Sequence, residues 1–215
     1  MIEVNQIYNA DCLDILKDIP NNYFDLCLTD PPYGDGTGNL KRLGNVNIAR
    51  PTIFQKKDWD NDIPTKEIFD EIFRVSKNQI IFGGNYFVEY LKNSSCWLVW
   101  DKNNTGNYAD CELAWTNFKS AVRKYKWTWN GMLQEDMKHK EIRIHPTQKP
   151  VGLLKQILRD YYKEGIVLDC FSGSGSTAIA CYDLNIPFVA IEKDKDYYDK
   201  SVERLEIARS QLRLF

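Results

Sequence analysis

Residues Ile166 to Glu192 constrain the fold more than any other stretch. Ile166-Val167-Leu168-Asp169 is a short apolar run, Cys170-Phe171-Ser172-Gly173-Ser174-Gly175 is a glycine turn, Ala178 to Leu184 is helix-like, and Phe188 to Ile191 is a second apolar run closed by Glu192. Strand, glycine turn, helix, strand and acid follow in the order of a nucleotide-binding βαβ unit. Gly173 and Gly175 permit a tight turn and a close approach of backbone to ligand. Glu192 lies 19 residues after Gly173, near the spacing of about 20 at which an acid meets ribose hydroxyls in such units. A Gly-x-Gly turn alone is equally compatible with an ordinary loop, and the acid closing the second strand is what favours a ligand.

A second feature carries chemistry. Asp30-Pro31-Pro32-Tyr33 stands where the apolar run Phe24 to Thr29 ends. Two consecutive prolines fix φ and remove backbone N–H groups, so the turn is stiff and the carbonyls of Asp30 and Pro31 have few local amide donors. Tyr33 adds an aromatic face. A carboxylate, a carbonyl and a ring presented together suit a planar amine, although an isolated Asp-Pro turn serves equally well to end a strand.

The remaining pattern is α/β alternation. Cys12 to Ile19 reads as a short helix before the strand Phe24 to Leu28, and Pro64 to Val75 as a longer helix before the strand Gln79 to Phe82. Trp97 to Trp100 and Cys111 to Thr116 supply further strands, Val151 to Tyr162 has a helical apolar period, and Asp194 to Leu212 is a C-terminal helix. Every candidate ligand turn stands at the C-terminal end of a strand, where an open parallel sheet leaves a crevice. The strand leading to Asp30 is therefore expected beside the strand that carries Asp169.

Length favours one compact domain spanning 1–215 with a modest insertion. The segment from Asn117 to Glu141 lacks sustained periodicity and contains Trp127, Trp129 and Gly131, so residues 117–141 are the expected recognition insertion. A net charge of −2 gives no bulk support for nucleic-acid binding. Positive charge is nevertheless concentrated, +3 over residues 36–60 and +4 over residues 117–145. Such local surfaces can steer a phosphate backbone, and they serve equally as solvated faces. Six scattered cysteines without a Cys-x-x-Cys pair, and only two histidines, His139 and His145, predict neither a metal centre nor a disulfide framework. The absence of a secretory leader or a long apolar run makes the cytoplasm the expected compartment, with no membrane association.

Taken together, the motifs resemble the beta group of S-adenosylmethionine-dependent DNA amino-methyltransferases, the N6-adenine/N4-cytosine family. TDPPYG at Thr29 to Gly34 comes first, HPTQKP at His145 to Pro150 follows the proposed recognition segment, DCFSGSG at Asp169 to Gly175 comes later, and AIE at Ala190 to Glu192 closes the order. The early NADCLDIL at Asn9 to Leu16 and the QIIFGG strand exit extend the resemblance over almost the whole chain. It implies an α/β, Rossmann-like methyltransferase fold with a mixed, mostly parallel central sheet and circularly permuted motif order.

The resemblance also implies roles. Phe171, Ser172, Gly173, Ser174 and Gly175 hold the methionine portion of S-adenosyl-L-methionine, Glu192 binds its ribose hydroxyls, and Asp11 contacts its adenine. Asp11 is equally well suited to cap the helix beginning at Cys12. Thr147 and Lys149 are expected near the methionine end, with a surface role as the alternative for Lys149. Asp169 shapes the loop or accepts from the methionine amine.

For catalysis, the target base must leave the duplex before its amine can approach the methyl group. Asp30, Pro31, Pro32 and Tyr33 form the expected clamp, with Tyr33 stacked on the base and Asp30 and the Pro31 carbonyl accepting amine hydrogens. Asp30 is better read as an acceptor than as a general base, because an ordinary Asp has a pKa of about 3.9 and a neutral exocyclic amine is a poor acid. Lys41, Arg42, Lys124 and Lys126 are candidate phosphate contacts, while Trp127 and Trp129 assist recognition or pack the insertion. DPPY resembles the adenine N6 pattern. Cytosine N4, RNA adenine or a protein amide as target, and a non-catalytic cofactor-binding subunit, are the competing functions. Cytosine C5 chemistry is disfavoured because none of the cysteines follows a proline. The expected partner is double-stranded DNA, joined by a second copy or a separate recognition subunit, in a prokaryotic cell or phage-infected host.

Overall fold

The computed structural model describes residues 2–34, 63–104, 109–130 and 132–211, together with the strand backbones of 42–43 and 52–53. The chain divides into two compact units, one formed by Met1–Asp30, Thr65–Gln79 and Gln148–Phe215, the other by Pro31–Pro64 and Ile80–Thr147.

The first unit holds β1 (Gln6–Asn9), β2 (Phe24–Thr29), β11 (Val167–Asp169) and β12 (Phe188–Glu192), with the start of β5 (Ser76–Phe82). Their order is β1-β12-β11-β2-β5. β1 with β12, β12 with β11 and β11 with β2 are all parallel pairs. The helices are α1 (Cys12–Leu16), α2 (Lys66–Val75), α3 (Val151–Tyr161), α4 (Ser176–Asp183) and α5 (Lys195–Ser210).

The apolar runs predicted β2, β5, β11 and β12 because a parallel sheet is covered on both faces, so successive residues are buried rather than alternating. Leu26, Cys27 and Leu28 in β2, and Val167 and Leu168 in β11, are all buried. α2 instead shows helical spacing, burying Phe69, Ile72 and Val75 on one face. Arg74, in its last turn, donates to the carbonyls of Leu16 (2.8 Å) and Ile19 (2.6 Å), tying α2 to the end of α1 and the turn after it. Phe24 is fully buried in the same core, so Phe24→Ala is expected to cost about 3–5 kcal/mol.

The second unit is ordered β5-β7-β6-β8, with β6 (Trp97–Asp101), β7 (Cys111–Thr116) and β8 (Arg123–Lys126) joined to the end of β5. β5 with β7 and β7 with β6 are antiparallel, whereas β6 with β8 is parallel. Two small antiparallel pairs complete it: β3 (Arg42–Leu43) with β4 (Thr52–Ile53), and β9 (Trp129–Asn130) with β10 (Leu133–Gln134). The expected 117–141 insertion falls within this unit and contains β8, β9 and β10. No helix among the described residues is long and apolar enough to cross a membrane.

Candidate active site

In the first unit the strand leading to Asp30 does lie beside the strand carrying Asp169. Leu26 and Cys27 of β2 register with Val167 and Leu168 of β11, so two parallel strands deliver both acids at one sheet end. The junction is tied directly, Thr29 Oγ1 donating to Asp169 Oδ1 at 2.9 Å. That oxygen also accepts from the Phe171 N–H at 3.2 Å, which starts the glycine turn. Burial pushes the Asp169 carboxyl up to about 6, against the lowering effect of Thr177, Thr29 and Phe171 as donors.

Gly173 and Gly175 have φ of 51° and 73°, in the left-handed region that side chains other than glycine disfavour. Gly175 precedes α4, and a Cβ there would stand 3.1 Å from the Ser201 Cβ. Ser172 is anchored by its N–H to the Ile191 carbonyl at 2.9 Å. Its Oγ is sealed from solvent and has no hydrogen-bond partner, a polar group available to a ligand in this loop.

Glu192 closes the loop from β12. Oε2 accepts from the Gly173 N–H at 2.7 Å and Oε1 from the Asp194 N–H at 2.8 Å. Desolvation outweighs these two donors and pushes the carboxyl up to about 7. Asp11 adopts the capping alternative: Oδ1 accepts from the Leu13 N–H at 3.0 Å, while Oδ2 pairs with Lys193 at 2.8 Å.

Lys149, expected near the methionine end of the cofactor, is brought to Asp30. Its ammonium is buried and ion-paired with Asp30, 119 residues away in sequence. The sequence motif placed a cation near the site but held no signal for that tertiary pairing. Gln148, Lys149 and Pro150 are buried immediately before α3, which fixes the lysine's approach.

In the second unit Tyr33 lies against Tyr86, with ring centroids 4.7 Å apart and planes inclined by 10°, and meets the edge of Phe87 at 6.1 Å. Tyr86 and Phe87 follow Gly83, whose φ is +67° and whose place beneath Tyr33 leaves no room for a side chain: a Cβ would come 2.1 Å from Tyr33 Cε1. The QIIFGG strand exit was legible, but the aromatic pair after it was not assigned. Thr147 also lies in this unit, its N–H donating to His145 Nδ1 at 3.3 Å.

The nucleic-acid candidates separate by exposure. Lys124 and Lys126 are exposed on β8, Lys124 standing 3.3 Å from Asp101. Trp127 is half-buried, with its carbonyl accepting from Trp100 Nε1 at 2.9 Å. Trp129, for which recognition and packing were both open, is buried, and the Arg143 guanidinium lies 4.3 Å from its ring centroid. Lys41 lies outside the described residues, and Arg42 is described only as strand backbone.

Residues 86–203 match the N6_N4_Mtase family model, described as "DNA methylase". The chain belongs to this DNA methylase family. It is 27% identical to the type II methyltransferase M.HinfI of Haemophilus influenzae, across 94% of this chain and 68% of the relative. It is also 26% identical to the type II methyltransferase M2.MboI of Moraxella bovis, across 92% and 86%. Among solved structures, the M1.HpyAVI–SAM complex is similar with a TM-score of 0.56 and 26% identity, covering 93% of this chain and 98% of that one.

Proposed function

We propose that this chain transfers the methyl group of S-adenosyl-L-methionine to the N6 amine of adenine at a specific sequence in double-stranded DNA. The observation that carries the reading is the β2–β11 register, which sets the Asp30 strand exit beside the glycine turn at Asp169 to Gly175. The cofactor type follows the family, and a SAM complex is described for the similar M1.HpyAVI structure.

The residues fit that cofactor. Phe171 to Gly175 offer a close backbone approach and the unsatisfied Ser172 Oγ, and Glu192 offers a carboxylate for ribose hydroxyls. Asp11 and Thr147 complete the assigned set, although Asp11 also caps α1. The cofactor supplies an electrophilic methyl group on sulfur.

Asp30 and the Pro31 carbonyl accept the hydrogens of the target amine and turn its lone pair out of conjugation with the base. Lys149 compensates the charge of Asp30 in a largely buried setting and fixes its direction. Tyr33 receives the flipped base on its face. As the methyl–sulfur bond breaks and the new N–methyl bond forms, the amine nitrogen gives up one proton. Adenine is favoured over cytosine by the Asp in DPPY. Lys124 and Lys126 are exposed cations suited to phosphates, and a second copy or recognition subunit would extend the contact with duplex DNA.

Incubation with diverse unmodified DNA and S-adenosylmethionine, followed by nucleoside mass spectrometry and single-base mapping, tests the proposal. N6-methyladenine at one short sequence is expected. N4-methylcytosine alone would reverse the target, and transfer confined to RNA or protein would overturn it.

A further inference from the structure

Two residues beyond the proposed recognition segment stands an arginine with two nitrogens that have no partner within the fold. Arg143 is half-buried with its guanidinium carbon over the Trp129 ring, 4.3 Å from the centroid. Its Nε and Nη2 are sealed from solvent and have no hydrogen-bond partner. These nitrogens share one edge of the planar guanidinium, so one N–H of each points the same way in the plane and the two form a fork. Removing that fork from water without an acceptor is costly, and burial holds the Arg143 pKa down at about 10, with only Glu141 opposing it.

The arginine is positioned rather than loose. Gln134 of β10 donates through Nε2 to the Glu141 carbonyl at 2.9 Å and accepts the Glu141 N–H through Oε1 at 2.8 Å. This two-bond clamp fastens the chain just before Arg143 to the β9–β10 hairpin that supplies Trp129. The same stretch exposes Leu133, Met137 and Ile142 to solvent, Ile142 at 80%. It also carries exposed Lys138 and Lys140. Apolar side chains beside cations and a planar fork suit a DNA groove, whose floor offers thymine methyls and paired acceptors.

We propose that Arg143 is a specificity-determining residue that delivers its Nε/Nη2 fork to a bidentate acceptor on DNA, the O6/N7 edge of a guanine in the recognition sequence. This inference rests on the DNA-methylating reading above. A backbone phosphate presents the same two-acceptor chemistry, and the two sources differ in what they predict. A guanine contact is lost when that one base is altered, whereas a phosphate contact is indifferent to sequence and contributes to salt dependence.

The experiment compares wild type, Arg143→Lys and Arg143→Met on an oligonucleotide carrying the mapped methylation site. It also uses versions in which each guanine is replaced singly by 7-deazaguanine. Lysine retains the charge over Trp129 and methionine retains apolar cover, and neither supplies the fork. Thermal unfolding and S-adenosylmethionine affinity check that both variants are folded.

Both variants are expected to lower kcat/KM by about 10- to 100-fold. One 7-deazaguanine should impose the same loss on wild type and no further loss on either variant. A uniform loss across sequences, with a shallower salt dependence and no 7-deazaguanine effect, assigns the fork to a phosphate and overturns the guanine contact. Folded variants with wild-type efficiency and sequence preference, or full activity in Arg143→Lys, overturn the inference while leaving the methylation reading intact. A wild-type chain that modifies no DNA removes that reading, and this assignment with it.

Discussion

The glycine turn of the first unit and the proposed recognition segment of the second are built on opposite principles. β11 buries every residue, Val167, Leu168 and Asp169, whereas β8 exposes Arg123, Lys124 and Lys126 and buries only Tyr125. In the first case packing dictates both sequence and register, and the acids at the strand ends are placed by the sheet. In the second, the backbone pairing leaves most side chains unconstrained by a core. Chemistry common to a family requires the former arrangement, while a surface that distinguishes one DNA sequence from another can vary in the latter.

The largest effects are therefore expected at the rigid end. Asp30→Ala should reduce methyl transfer by about 10³-fold while S-adenosylmethionine affinity changes little, because the carboxylate acts on the target amine. Lys149→Met should reduce transfer by about 10²-fold and destabilise the fold by about 3 kcal/mol, since it leaves a largely buried carboxylate without its counter-charge. Calorimetric titration with S-adenosylmethionine, single-turnover transfer and chemical unfolding separate these effects. A Lys149→Met protein with normal transfer but weak cofactor binding would return Lys149 to the cofactor and dissolve the proposed Asp30 role.

That pair also marks how far the sequence could be read. Strands β2, β5, β6, β7, β11 and β12 were legible because each carries an apolar run, and the adjacency of β2 and β11 followed from their ligand turns. β1 and β8 were not anticipated. Gln6–Asn9 is a short strand that buries only Ile7, and Arg123–Lys126 contains one buried residue, so neither displays an apolar period. Asp30 and Lys149 were each identifiable by motif, but their ion pair joins residues 119 apart and required the tertiary fold. The Arg143–Trp129 cation–π contact was hidden for the same reason. A tryptophan in a basic segment serves equally for packing or contact until its burial is known.

A second test concerns the aromatic site of the second unit. Gly83→Ala introduces a Cβ at φ +67°, where it would meet the Tyr33 ring at 2.1 Å. Tyr33 must then move from its stack on Tyr86. Transfer should fall by about 10- to 100-fold through misplacement of the target, with cofactor affinity preserved. Tyr86→Ala removes the stacked ring without crowding Tyr33 and should cost less, about tenfold. Stopped-flow fluorescence with 2-aminopurine at the target position reports base placement. Unchanged base flipping and transfer in Gly83→Ala would show that Tyr33 does not receive the base.

The smallest expected effect is in pH, and it belongs to Glu192. Burial raises this carboxyl from an ordinary 4.5 to about 7, so the ligand-free fold binds a proton that the unfolded chain has already released. The fold is consequently favoured below about 4.5, and this contribution is lost progressively as pH rises through about 7. Cofactor binding should run the other way. Ribose hydroxyls donate to the ionised carboxylate, so affinity for S-adenosylmethionine should rise by up to about tenfold between pH 6 and pH 8 and then level off. Asp169, raised to about 6, adds to the loss of ligand-free stability over the lower part of the same range. Titrations at pH 6, 7 and 8, in buffers of different ionisation enthalpy, should detect proton release on binding. Glu192→Gln should bind weakly and with a much flatter pH dependence. A wild-type affinity that is flat from pH 6 to 8, without proton release, would mean that Glu192 remains tied to the Gly173 and Asp194 amides and does not serve the ribose.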